Sequence, residues 1–132
     1  MVINVSKEFV FTPEFNGNRS APECDRIIVH IKNPTLAVKA RIAASPETVA
    51  RADTKGVVEG IDIRLKSNDD MIIREMLVSI DGLEYEADGV RTPVRNAASL
   101  FAAPVEFDPL RNEIAAECNR ILSGSEVNRK NS

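Results

Sequence analysis

The sequence predicts an α+β fold: a small N-terminal antiparallel β-sheet with C-terminal helices packed on it. Two patterns carry that prediction. Asp25 to Lys32 (DRIIVHIK) places Ile27, Val29 and Ile31 on one face of an extended chain, and Arg26, Ile28, His30 and Lys32 on the other. Asp108 to Leu122 repeats at helical spacing instead, with Leu110, Ile114, Cys118, Ile121 and Leu122 on one side and Glu113, Glu117 and Arg120 facing water. A length of 132 residues fits one domain whose core needs neither disulfide nor metal. That domain is expected to cover residues 1–124, with residues 125–132 a polar, disordered tail.

The remaining elements follow in chain order. Ile3, Val5, Phe9 and Phe11 fall on odd positions and predict a first strand within the first twelve residues, interrupted at Lys7. Pro13 to Pro22 has the Pro, Gly and small polar composition of a surface loop, pinned to the core by Phe15. Local signals conflict over residues 35–43. Asn33-Pro34 could open a helix, but Leu36, Val38, Ala40 and Ile42 alternate with Ala37, Lys39 and Arg41 and favour strand. Ser45 to Gly56 reads as a mobile connection, and Ile61, Ile63 and Leu65 as a further strand.

From Asp69 an acidic start suits a helix N-terminus, and Ile72, Ile73, Met76, Leu77 and Ile80 share one face of a helix running to about Ser79. An extended Leu77 to Tyr85 is the alternative. Asp88-Gly89 marks a tight turn. Thr92-Pro93 then predicts a helix start, with Val94, Ala97, Ala98 and Phe101 on its apolar face and Pro104 at its end. Asp108-Pro109 opens the last helix, and Gly124 is its expected stop.

Composition excludes several function classes. Hydrophobic residues make up 43% and charged residues 28%, the proportions of a soluble globular chain. The net charge is −3 and the basic residues form no stripe, which argues against a nucleic-acid partner. No stretch reaches the roughly 20 apolar residues that span a bilayer, and the N-terminus has no secretion-signal core. Cys24 and Cys118 therefore read as reduced cytoplasmic thiols, Cys118 as a small core residue within the last helix's apolar stripe.

The search for chemistry returns no phosphate-loop, dinucleotide, zinc-protease or nucleophile-elbow spacing. His30 is the only histidine, lies on the more polar strand face and has no ligand or acid-base partner at a readable spacing. Asp69-Asp70 point about 100° apart on a helix and make a poor carboxylate dyad. No catalytic residue, cofactor or metal site is expected, and the chain does not read as an enzyme. Met71 and Val78, seven residues apart, fall opposite the core stripe of the predicted 69–79 helix. They mark either a helix buried on two sides or a partner-binding stripe.

Two stretches resemble the small tail assembly chaperones of tailed bacteriophages. One is Phe11 to Arg19 (FTPEFNGNR), Ala21-Pro22-Glu23 and Ile27 to Thr35 (IIVHIKNPT). The other is Ser79 to Leu83 (SIDGL), the turn at Asp88-Gly89, a helix with Leu100-Phe101, and a final helix with Leu110 to Ile114 (LRNEI). Together they cover about two thirds of the chain; Ser45 to Lys66 is unmatched. The resemblance implies a helix over Leu36 to Ile42, where alternation favours strand. It also implies a non-catalytic assembly factor in the host bacterial cytoplasm, made by a phage or prophage, which binds the tape measure protein during tail morphogenesis, with the tail tube protein as a second potential partner. Self-association stays open. The alternatives are a structural virion protein, such as a tail-completion or head-tail joining subunit, and a small enzyme or ligand-binding domain.

Overall fold

Alternating burial organises the sheet. In the computed structural model, which describes residues 1–44 and 69–131 with side chains through Gly124, β1 (Glu8–Phe11), β2 (Ile28–Lys32) and β3 (Leu77–Asp81) form one antiparallel sheet in the order β1-β2-β3. Val29 and Ile31 of β2 are fully buried, and Val29 stands opposite Ile80 of β3 and Phe11 of β1. The first strand is shorter than alternation predicts, because Ile3 and Val5 lie outside it and are exposed.

The segment between β1 and β2 is organised by Asn18, its one buried polar side chain. Asn18 Nδ2 donates to the carbonyls of Pro13 (2.9 Å) and Ile27 (3.0 Å), and its Oδ1 accepts from the Ile27 N–H at 2.6 Å. Phe15 anchors the loop as expected, packing on Phe107 with ring centroids 5.6 Å apart. The strand preference for residues 35–43 is overturned: α1 spans Leu36–Ala43. Thr35 is its N-cap and accepts from the Val38 N–H. Only Val38 and Ile42, four residues apart, are buried, while Leu36 is exposed, so half of the apparent alternation points into water.

Residues 69–76 form a second helix, α2, which buries Ile72, Ile73 and Met76. It gives way to β3 at Leu77 and does not run to Ser79. Met76 and Ile80 keep helical spacing by coincidence: one closes α2, and the other is an inward residue of β3 whose pairing with β2 overrides the helical period. Gly82 follows with φ 75°, and a Cβ there would lie 2.4 Å from the Arg26 carbonyl oxygen, so the turn after β3 presses directly on the backbone leading into β2.

The Asp88-Gly89 turn joins β4 (Glu84–Ala87) to β5 (Val90–Pro93), with φ 52° and 79° as a tight hairpin turn requires. Thr92-Pro93 ends β5 and does not start a helix. Thr92 pairs with Tyr85, and Pro93 occupies a strand end where its missing N–H costs no ladder bond. The helix α3 (Ala97–Ala102) begins instead at Asn96, which exchanges capping hydrogen bonds with Ser99. Its buried residue is Leu100; Ala98, expected on the apolar face, is exposed.

The last helix, α4 (Asp108–Asn131), starts at Asp108 as predicted and buries Leu110, Ile114, Cys118 and Ile121. The expected stop at Gly124 is absent. That glycine does not take the left-handed conformation of a C-terminal cap, and the helix continues to Asn131 through the stretch read as a disordered tail. The predicted connection at 45–56 and strand at 61–65 lie outside the described residues. The fold is α+β, with the sheet and helices sharing one apolar core.

Candidate functional site

Strand register brings together three residues that sequence spacing does not. His30 faces outward at the centre of β2, with Val10 and Ser79 as its cross-strand partners. Its Nδ1 lies 2.9 Å from Glu8 Oε1 on β1, and its Nε2 lies 2.8 Å from Asp81 Oδ2 on β3. A neutral imidazole carries one N–H and can donate to only one of these carboxylates; the imidazolium donates to both. The His30 pKa is accordingly raised, chiefly by the hydrogen bond the ring donates to Asp81, with desolvation opposing and Glu8 reinforcing the shift.

The expectation of a partnerless, solvated His30 is therefore corrected. Its side chain is 23% exposed and bridges all three strands. Glu8 is one of two even-numbered residues of the first strand, and no sequence signal joins it to Asp81. Among the described residues, the bridge is an imidazole between two carboxylates, and of its members Asp81 borders a cavity. A cavity of about 430 Å³ is lined by Asp69, Asp70, Ile73, Phe101 and Arg111, and another of about 570 Å³ by Asp25, Asp81, Gly82, Leu83 and Arg95. His30 lines neither.

Arg111 is a second constellation that sequence reasoning missed. Its Nη2 donates to the carbonyls of Leu100 (2.8 Å) and Ala103 (2.6 Å), satisfying the C-terminal end of α3, and its Nη1 pairs with Asp108. Arg74 stacks on Phe101 at 4.5 Å. These cations are therefore engaged in holding α2, α3 and α4 together. Cys118 is fully buried, and desolvation, reinforced by Glu117 and Asp69, pushes its thiol up to about 12, so it is inert packing. Cys24 is exposed. Among the described residues, no group of three or more His, Cys, Asp or Glu side chains is arranged to hold a metal ion, and no helix is long and apolar enough to cross a membrane.

Met71 and Val78 do not form one helical stripe. Met71 is half-buried on α2, whereas Val78 lies on β3 beside the register shift opposite His30 and Ile31, and is 47% exposed. The turn to strand at Leu77 separates them. Exposed apolar side chains are found elsewhere as well, at Val10, Leu36, Val90 and Val105. The site thus defined is a surface of an α+β domain, an outward sheet face pinned by an imidazole between two carboxylates. No protein-family model, curated protein or solved structure matches this chain.

Proposed function

We propose that this chain is a non-catalytic tail assembly chaperone of a tailed bacteriophage, which binds the tape measure protein before the tail tube assembles around it. The observation that carries this reading is α1. The resemblance in IIVHIKNPT implies a helix immediately after the strand, against the local alternation, and Thr35 caps such a helix at Leu36–Ala43. Exposed apolar residues on the sheet and its connections supply surface for an apolar partner, with Val78 the accessible member of the pair read from the sequence. The host cytoplasm is the compartment this role requires.

The test is co-expression with the tape measure protein encoded beside it, followed by pull-down. The wild-type chain is expected to retain and solubilise that protein, and Val78→Ser to retain less of it with an unchanged melt, since exposed substitutions stay within about 0.5 kcal/mol. A wild-type chain that retains none of it overturns the reading. Equal retention by Val78→Ser moves the contact to another surface. A subunit found in purified virions would instead indicate a structural tail protein.

A further inference from the structure

The two carboxylates on His30 stand at similar distances but on unequal supports. Asp81 closes β3, where it pairs with Ile28, and Gly82 after it lies against the Arg26 carbonyl. Its neighbour Ile80 is buried and donates its N–H to the Arg95 carbonyl at 2.8 Å, so β3 is bonded on the side away from β2 as well. Glu8 opens β1, a four-residue strand that among the described residues pairs with β2 alone. Lys7 before it is a bend, and residues 1–6 form neither helix nor strand.

The two ends of β1 are also held differently. Beyond Phe11, Arg19 Nε donates to the Thr12 carbonyl and the Glu14 N–H donates to Glu113 Oε1, each at 2.8 Å. At the Glu8 end the chain hangs on Asn33, whose N–H donates to the Lys7 carbonyl at 3.0 Å and whose Nδ2 donates to the Ser6 carbonyl at 2.7 Å. The Lys7–Asn33 bond sets the alternation of the antiparallel ladder, so the next hydrogen-bonded pair is Phe9 with Ile31. Glu8 and Lys32 oppose each other without exchanging backbone bonds, and the imidazole supplies the tie to β2 that the Glu8 backbone does not make.

A neutral imidazole must give up one carboxylate. Keeping Glu8 would order an exposed strand end, whereas Asp81 is already fixed, so the remaining proton belongs on Nε2. Nδ1 then turns a lone pair toward Glu8 Oε1 at 2.9 Å, and two acceptors at that distance repel. In line with this order, the Asp81 bond outweighs the Glu8 bond in raising the imidazole pKa. Lys32 lies on the same face, but it stays cationic throughout the titration of the ring and adds no pH dependence.

We propose that His30 is a proton-operated latch on the N-terminal end of the sheet: on losing its proton the ring keeps Asp81 through Nε2–H and releases Glu8, so that β1 frays from Glu8 toward Phe11. The closed end belongs to the imidazolium and is lost as pH rises through the folded pKa. Fraying uncovers the N–H and C=O groups of Ile31, which face β1, while the Arg19 and Glu14 bonds hold the far end.

His30 is the only histidine, so its ring nitrogens can be followed without overlap in the labelled full-length chain. Long-range imidazole correlations recorded from about pH 5 to about pH 9 are expected to end in the Nε2–H tautomer. Over the same range the protection factor of the Asn33 amide, which removes the intrinsic pH dependence of exchange, is expected to fall about two- to fivefold, the worth of an exposed ion-pair bond. Glu8→Gln carries both a donor and an acceptor and can bond either form of the ring, so its Asn33 protection should stay level. A neutral ring in the Nδ1–H tautomer overturns the proposal. So does an Asn33 amide that is unprotected on the acidic side, a level profile in the wild type, or an equal fall in Glu8→Gln. Should Glu8→Gln fail to fold, the tautomer and the wild-type profile decide alone.

Discussion

His30 holds β1 and β3 to β2 through its two ring nitrogens, and both bonds exist together only in the imidazolium. The folded pKa is raised above the ordinary value of 6.5. Folding therefore favours proton binding, and the stability this linkage contributes is fully present below about 6.5 and lost as pH rises through the folded value. Urea unfolding of the wild type is expected to show declining stability across that window. His30→Gln should flatten this part of the profile, and an identical slope in the two proteins would exclude the clamp. The outward position of His30 was legible from alternation in DRIIVHIK. Its partners were not, because Glu8 is 22 residues away and Asp81 is 51 residues away, and only strand register brings them into contact.

At the scale of elements, apolar periodicity located β2 and α4 but read α1 as strand, and the Thr92-Pro93 capping signal misplaced the start of α3. The stripe of α4 is visible in sequence because five apolar side chains recur over three turns with charged residues opposite. Asn33-Pro34 and Thr92-Pro93 look alike as helix starts, yet the working caps are Thr35 and Asn96. In both cases the proline belongs to the chain leaving a strand. The Asn96 side chain accepts from the Ser99 N–H at 2.9 Å, while Ser99 Oγ accepts from the Asn96 N–H at 3.0 Å. Asn96→Ala removes half of that exchange and should cost about 0.5–2 kcal/mol in chemical denaturation. A stability unchanged by that substitution would show that tertiary contacts alone fix α3. The Met71 and Val78 stripe failed for a related reason, since a helical wheel carries no information about where pairing with β2 converts helix to strand.

Across the whole molecule, one apolar cluster joins elements from both ends of the chain. Val29 and Ile31 come from β2, Ile72 and Met76 from α2, Ile80 from β3, and Leu110, Ile114 and Cys118 from α4. Ile114 is fully buried in it, so Ile114→Ala should cost about 2–5 kcal/mol, read as a drop in the thermal midpoint. The α+β class was legible because each contributing segment has its own period. The sheet order was not, since β2 and β3 are distant in sequence and neither alone specifies the other. This arrangement also bears on how the protein is made. A ribosome that has released β1 and β2 has produced a pair of strands whose inward valine and isoleucine still await α1, α2 and β3. The seal is incomplete until Ile121, the last buried residue of α4 among those with described side chains, has followed. Synthesis thus delivers α4 after the other described contributors to the core, and until then the unfinished chain presents water with the same kind of apolar surface that the finished one hides.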